Sequence, residues 1–148
     1  MSDFVNFENT THRPGKVYGK VIDDIKKDGV CPFCPENLLK YHKNPILKDG
    51  AYWLLTNNMY PYEAAKYHVL IIHKKHIESM AEISSEAWAE VKVLTEAFAK
   101  ENNIPGGTFI MRFGDTRYTG ATVRHLHAGF VSPYGEDKNC KPIIARIG

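Results

Sequence analysis

The segment Thr119-Gly-Ala-Thr-Val-Arg-His-Leu-His-Ala-Gly-Phe-Val131 carries two histidines, His125 and His127, separated by one leucine in an apolar, strand-like run. In an extended strand residues i and i+2 project from the same face, so the two imidazoles are expected side by side. Two such rings can divide labour, one attacking or binding a metal and the other orienting or protonating. Arg124 and a small Thr/Gly-rich turn precede them, and the position where a third histidine would extend the series is Gly129. An arbitrary H-x-H pair is more often two strand histidines satisfied by surface partners. The Gly-Ala-Thr turn upstream and the apolar residues around the pair favour a chemical role.

Working outward, residues 67–73 (Tyr-His-Val-Leu-Ile-Ile-His) are β-branched and apolar and predict a central strand. Ser84 and Ser85 are N-cap candidates, and Trp88, Val91, Leu94 and Phe98 recur at helical spacing, so residues 85–102 are expected to form one amphipathic helix. Asn102-Asn-Ile-Pro-Gly-Gly107 ends it. Residues 46–47 and 51–56 flank Lys48-Asp-Gly50, a hairpin signal. Residues 108–113 and 124–131 read as further strands, and 141–147 as a possible last one. Residues 18–27 predict a short helix stopping at Asp28-Gly29. Strands gathered around one long helix imply an α+β fold with an antiparallel sheet. Residues 1–17 read as an irregular arm and residues 18–148 as one domain.

The chain has 148 residues, enough for one domain with a real core, and 43% of them are hydrophobic. A net charge of +2 is too small to indicate specific nucleic-acid binding. No apolar run approaches the ~18 residues of a membrane span, and the polar start Met1-Ser-Asp-Phe-Val-Asn-Phe-Glu8 lacks the apolar core of a signal peptide. The three cysteines, two of them as Cys31-Pro-Phe-Cys34, suit a reducing compartment. The cytoplasm is the expected location.

Cys-x-x-Cys is a common half-site for tetrahedral zinc. Bare reduced thiols and a redox pair are the alternatives, the latter disfavoured because Pro35 follows where a helix should start. Cys140 lies in a polar tail. His68 and His73 sit in the central strand, where histidines are more often structural, though His68 is a reserve candidate near the pocket. His12 and His42 belong to no motif.

The histidine strand suits phosphate chemistry. A neutral imidazole attacks phosphorus, and the phosphoimidazole is readily broken by water or another acceptor. The Thr122 hydroxyl and amides around Gly120 are expected to hold phosphate oxygens, as amides in a tight turn form an anion-binding concavity.

Residues 119–133 resemble the signature of the histidine triad superfamily, in which His-φ-His-φ-His-φ-φ ends a β-hairpin. Tyr67-His-Val-Leu-Ile-Ile-His-Lys-Lys-His-Ile77 is similar to the family's strand running into a "PKKHI"-like turn, and the helix and the early Cys-x-x-Cys fall in the family order. The similarity spans about residues 30–131 and looks most like the diadenosine polyphosphate hydrolase/phosphorylase and galactose-1-phosphate uridylyltransferase side. It implies an antiparallel sheet of about five strands with one long helix and a short N-terminal helix. It also implies that His127 is the nucleophile, that Thr122 bonds the phosphate, and that Asn57 or Asn58 lies near the ribose. In zinc-bearing relatives the position of His125 is a metal ligand, and the third ligand falls where this chain has His76. The resemblance thus implies a closed, structural zinc site of Cys31, Cys34, His76 and His125, a nucleotide or dinucleotide substrate, and a possible homodimer. The face at Trp88, Val91 and Leu94 suits such a dimer or the chain's own core.

Gly129 departs from the family pattern. Hydrolase members have histidine there and transferase members commonly glutamine, either of which donates a hydrogen bond to the phosphoryl group or its leaving oxygen. Losing one such donor commonly costs about 10²–10³ in rate. Three outcomes are open: slower turnover, room for a bulkier acceptor, or nucleotide binding without turnover. A register shifted by one pleat, with His125 as nucleophile, is disfavoured by the spacing from Thr122. The leading expectation is a nucleotidyl hydrolase or transferase acting on the α-phosphate of a dinucleoside polyphosphate, nucleoside phosphoramidate or phosphosugar nucleotide. The alternatives are a nucleotide-binding sensor or scaffold and a small zinc-binding interaction module.

Overall fold

A computed structural model describes residues 4–12, 16–136 and 140–148, with side chains undescribed at 12 and 16–18. Its centre is an antiparallel sheet of β1 (Ile46–Asp49), β2 (Trp53–Asn57), β3 (Ala65–His73), β4 (Thr108–Arg112) and β5 (His127–Pro133), in the order β1-β2-β3-β5-β4. The helices are α1 (Lys16–Asp28), α2 (Pro35–Tyr41), α3 (Ser85–Glu101) and the single turn α4 (Thr116–Thr119). The expected α+β fold, with five strands and one long helix, is present.

Strand alternation sorts the sheet's side chains into two layers. Trp53, Leu55, Val69, Ile71, Ala128 and Phe130 face α3 and meet its Ala87, Val91 and Phe98 in the main core. Each fully buried aliphatic residue there contributes about 1.5–3 kcal/mol. Trp53 is fully buried, and its indole N–H donates to the Ala87 carbonyl at 2.8 Å, so the ring brings no unpaired donor into the core. Leu54, Leu70 and Ile72 face the other way, against Leu38 of α2. Val91 and Leu94 pack on the chain's own core, leaving Trp88 and Val93 as the exposed large apolar residues of α3.

Helix α3 starts where its cap predicts. The Ser84 hydroxyl accepts the amide of Ala87 at 3.1 Å, and the helix is closed by Asn102. Its Glu90 accepts the amides of Ala51, Tyr52 and Trp53 at 2.6–2.9 Å, which ties the β1–β2 turn to the helix. That turn falls at residues 50–52, later than the expected 48–50, because Lys48 and Asp49 pair with Leu55 and Leu54.

Several expectations need correction. Helix α2 begins directly after Cys34, since Pro35 sits at a first-turn position where its missing N–H costs nothing. Residues 141–147 form no strand: Pro142 cannot donate to a ladder, and Ile144 and Ile147 stay exposed. Of the expected arm, residues 1–3 and 13–15 lie outside the described residues. Val5 is buried and bridges Val123, and Glu8–His12 form a 3-10 turn. Among the described residues no helix is long and apolar enough to cross a membrane.

Candidate functional site

The two signature histidines do not share a strand face. β5 begins at His127, and His125 lies in the irregular segment before it. The amide of Arg124 donates to Phe4 and that of Leu126 to Ile77, both at 2.7 Å, so this backbone leaves the ladder and turns the His125 ring away from the strand face.

His125 is 2% exposed and meets the cysteine pair. Its Nδ1 lies 3.4 Å from Cys31 Sγ, 3.8 Å from Cys34 Sγ and 3.2 Å from His76 Nδ1, and His76 Nδ1 lies 3.5 Å from Cys34 Sγ. All four atoms fall within 4.8 Å of one another. Tetrahedral zinc bonded to sulfur and nitrogen at ordinary lengths needs ligand separations of about 3.3–3.8 Å, and three of these four distances fall in that range with the fourth just below it. The tautomer fits as well. His125 Nε2–H donates to the His73 carbonyl at 2.5 Å, which leaves the lone pair of the neutral ring on the converging Nδ1. Glu78 stands 3.6 Å from the outer nitrogen of His76.

Burial sets the protonation of the cluster. It pushes the Cys31 thiol up, and together with the neighbouring Cys31 it pushes Cys34 up to about 12, while it holds His125 down to about 4. Without metal, the two thiols and the His125 ring are therefore uncharged at neutral pH. A divalent cation bound here would displace the two thiol protons, and the resulting thiolates would balance its charge. The donor set fits a metal ion. The redox alternative loses one objection, since a helix does follow Cys34, but the sheet is antiparallel throughout and offers no βαβ unit.

His127 faces a different environment. Alternate residues of β3, β4 and β5 (His68 and Leu70, Ile110 and Arg112, His127 and Gly129) line one cavity, closed over by Phe33, Asn58, Tyr62 and Thr122. Its empty space is about 1010 Å³, mouth included, the scale of a small-molecule pocket. His127 Nδ1 lies 2.6 Å from the carbonyl of His125, so in the neutral ring Nδ1–H donates to it and Nε2 carries the lone pair. Thr122 is 6% exposed, and its hydroxyl has no hydrogen-bond partner among the described residues. A buried hydroxyl left unpaired in a protein costs about 1–3 kcal/mol. Phe33, between the two cysteines, packs edge-on against both His125 and His127 and walls the cavity off from the cysteine cluster.

Other expected residues separate. Asn58 lines the cavity, whereas Asn57 lies outside it, its carbonyl accepting from Asn44. Gly120, with φ of +69°, caps α4 and does not line the cavity, while Thr122 two residues on does. Gly129 has no left-handed φ, and a Cβ there would meet only His68 Nε2 at 3.7 Å and the Val69 carbonyl at 4.0 Å. Neither backbone nor packing demands glycine.

Arg112 joins the site without belonging to any motif. It pairs across the ladder with His127, and its guanidinium donates to the Thr119 carbonyl and, at 3.3 Å, to the Tyr62 hydroxyl. A lone basic residue ending an apolar strand is the available sequence signal. Tyr62, in a stretch that reads only as loop, stacks on His68 with ring centroids 4.3 Å apart.

No family model and no curated protein matches the chain. Solved structures do. A HIT family hydrolase from Clostridium thermocellum matches at 24% identity and TM-score 0.58, over 78% of this chain and 96% of that one. A histidine triad nucleotide-binding protein from Candida albicans matches at 27% identity and TM-score 0.51, over 68% and 73%. A Zn-bound histidine triad family protein from Mycobacterium smegmatis matches at 19% identity and TM-score 0.56, over 73% and 78%. The chain thus shares the fold of histidine triad proteins over most of its length.

Proposed function

We propose that this protein is a nucleotidyl hydrolase or transferase in which His127 attacks the α-phosphate of a nucleotide and carries the nucleotidyl group as a covalent intermediate. The observation that carries this reading is the hydrogen bond from His127 Nδ1–H to the His125 carbonyl, which leaves Nε2 as the nucleophilic nitrogen. The same carbonyl stabilises the positive charge that the ring acquires on bonding phosphorus. The unpaired Thr122 hydroxyl and the guanidinium of Arg112 are the groups for phosphate oxygens. Asn58, rather than Asn57, is the candidate for the ribose. Water or another acceptor then breaks the nitrogen–phosphorus bond. The hydrolase and nucleotide-binding descriptions of two structural relatives favour this reading.

We read Cys31, Cys34, His76 and His125 as a structural zinc site, consistent with the Zn-bound relative. Those four residues would fill every position of a bound zinc, which would supply cross-linking rather than chemistry. By holding the His125 ring it also holds the His125 carbonyl against His127.

The test uses labelled diadenosine tetraphosphate. The native chain is expected to release mononucleotide, and His127→Ala to lose that activity by about 10³-fold or more. Gly129 supports a second reading, a binding protein with little turnover. Tight binding without turnover in the native chain, with turnover gained in Gly129→His, would establish that instead.

A further inference from the structure

His42 is a buried histidine that the proposed chemistry leaves unused. It closes helix α2, is 7% exposed and lines the cavity. Its Nε2 lies 2.7 Å from the Thr56 hydroxyl, which lies 2.8 Å from the Pro45 carbonyl. A carbonyl can only accept, so the single hydroxyl proton of Thr56 goes to Pro45. Toward His42 the Thr56 oxygen is then an acceptor, and the ring carries its proton on Nε2. Burial holds the His42 pKa below its ordinary value of 6.5, so the ring is neutral at neutral pH and Nδ1 bears a lone pair. Nδ1 has no hydrogen-bond partner among the described residues.

Val21, Ile22 and Ile25 of α1, with Leu70 and Met59, wall the same cavity. The Met59 sulfur accepts the Lys43 amide at 3.3 Å, which sets the thioether beside His42. The neighbouring Tyr41 hydroxyl is committed to Asp28 at 2.5 Å. An apolar wall holding a bare acceptor suits a flat ring that presents an N–H. Register fixes the span. Thr56 pairs with Leu70 and Leu70 with Gly129, so the His42 ring is anchored on a strand two places from β5, about 10 Å away at ordinary strand spacing. His127 lies two residues before Gly129 on β5. A nucleoside monophosphate with its phosphorus at His127 has about this reach to the far edge of a purine.

Resting on the reading of this cavity as a nucleotide site with His127 as nucleophile, we propose that His42 Nδ1 accepts a hydrogen bond from the exocyclic amino group of adenine, so that the protein selects amino-purine over oxo-purine nucleotides. With an oxygen in place of the amino group, two lone pairs face each other. The ring cannot relieve this by moving its proton, because Nε2–H is tied to Thr56 and Thr56 to Pro45. His42 thus sets specificity and takes no part in bond making.

The experiment measures, by calorimetry, the binding of adenosine, inosine and cytidine 5′-monophosphates to the native protein, His42→Phe and Thr56→Val. The native protein is expected to bind the adenosine form more tightly than the inosine form by about 10–10²-fold. His42→Phe keeps a ring and loses the acceptor. Thr56→Val keeps the imidazole and frees its tautomer, so it reaches the ligand only through the His42 proton. Each should bring the ratio to within about threefold of unity, whereas a merely structural His42 would leave the ratio unmoved in Thr56→Val. Nitrogen NMR of the native protein at neutral pH should find the His42 proton on Nε2 and Nδ1 bare, with the Nδ1 resonance moved by the adenosine form. The native ratio and the NMR result need no variant, so they decide even where a substitution in the buried pair impairs folding. Equal binding of the two purines, a native ratio in either variant, a proton on Nδ1, or cytidine binding as tight as adenosine overturns the proposal. If the purines bind equally and the native chain still cleaves diadenosine tetraphosphate, the nucleophile stands and His42 falls. If the native chain neither binds these nucleotides nor cleaves that compound, both readings fall.

Discussion

His125 and His127 stand two residues apart in sequence and in opposite circumstances. Around His125 the polar atoms close on one another: two sulfurs and two nitrogens converge within 4.8 Å, the remaining nitrogen of His125 is satisfied by a backbone carbonyl, and the ring is 2% exposed. Around His127 the polar groups line a cavity. The Thr122 hydroxyl lacks a partner among the described residues, Gly129 brings no side chain, and His68 borders the gap. The closed end ties together segments nearly a hundred residues apart, and the open end is built for something that comes and goes. On the proposed reading, stability and reactivity are divided between neighbouring residues, with Phe33 as the partition.

This division can be broken from either side. The largest effect is expected at the closed end. Cys31→Ser should lose bound zinc and lower unfolding stability by on the order of 3–5 kcal/mol, a fraction of the about 10–16 kcal/mol with which structural zinc sites bind. Metal analysis beside chemical denaturation checks it, and a variant that keeps both metal and stability removes the structural role. At the open end the signs should reverse. Thr122→Val removes a hydroxyl that costs stability when unpaired, so the empty protein should be as stable as native or up to about 1 kcal/mol more so. Its nucleotide affinity, read by calorimetry, should fall by about tenfold.

Gly129→Ala places a Cβ in ordinary contact distance of His68 with no backbone strain, and should raise stability by roughly 0.5–1 kcal/mol in a melting experiment. A loss there would mean that the space is less open than described. The smallest expected effect is a pH dependence at the cavity wall. His42 is buried with Nε2 2.7 Å from the Thr56 hydroxyl, and burial holds it below its ordinary value of 6.5. The unfolded chain therefore takes up a proton before the folded one does. The contribution of neutral His42 is complete above pH 6.5 and declines as pH falls from there through the lowered folded value. His42→Gln should flatten that part of the stability–pH profile.

Much of the fold is readable because its signals are local. The 67–73 run, the Ser84 cap and the spacing of Trp88, Val91, Leu94 and Phe98 each declare their element through propensity or period. The metal cluster is legible through resemblance rather than spacing, since its ligands come from three distant segments. The features that the sequence hides depend on where backbone hydrogen bonds go. Period-2 alternation extends the strand back through His125, whereas Phe4 and Ile77 take the amides that would have continued it. Pro35 reads as a loop residue because its tolerance for a first helical turn depends on whether the next residues, Glu36 to Tyr41, continue a helix. Arg112 and Tyr62 join the site through pairing across the sheet and a loop folded over it; a lone basic residue ending an apolar strand is the one local hint for Arg112, and no local pattern encodes Tyr62.

The central claim is that His127 Nε2 carries the nucleotidyl group. The most direct measurement is to mix the protein with diadenosine tetraphosphate, quench within the first turnover in alkali, where phosphoimidazoles survive, and map the attached mass by peptide sequencing. The account predicts one adenylyl group on His127, absent in His127→Ala. An adenylyl group on His125 or on any other residue, or rapid turnover with no labelled residue at any time, would contradict it.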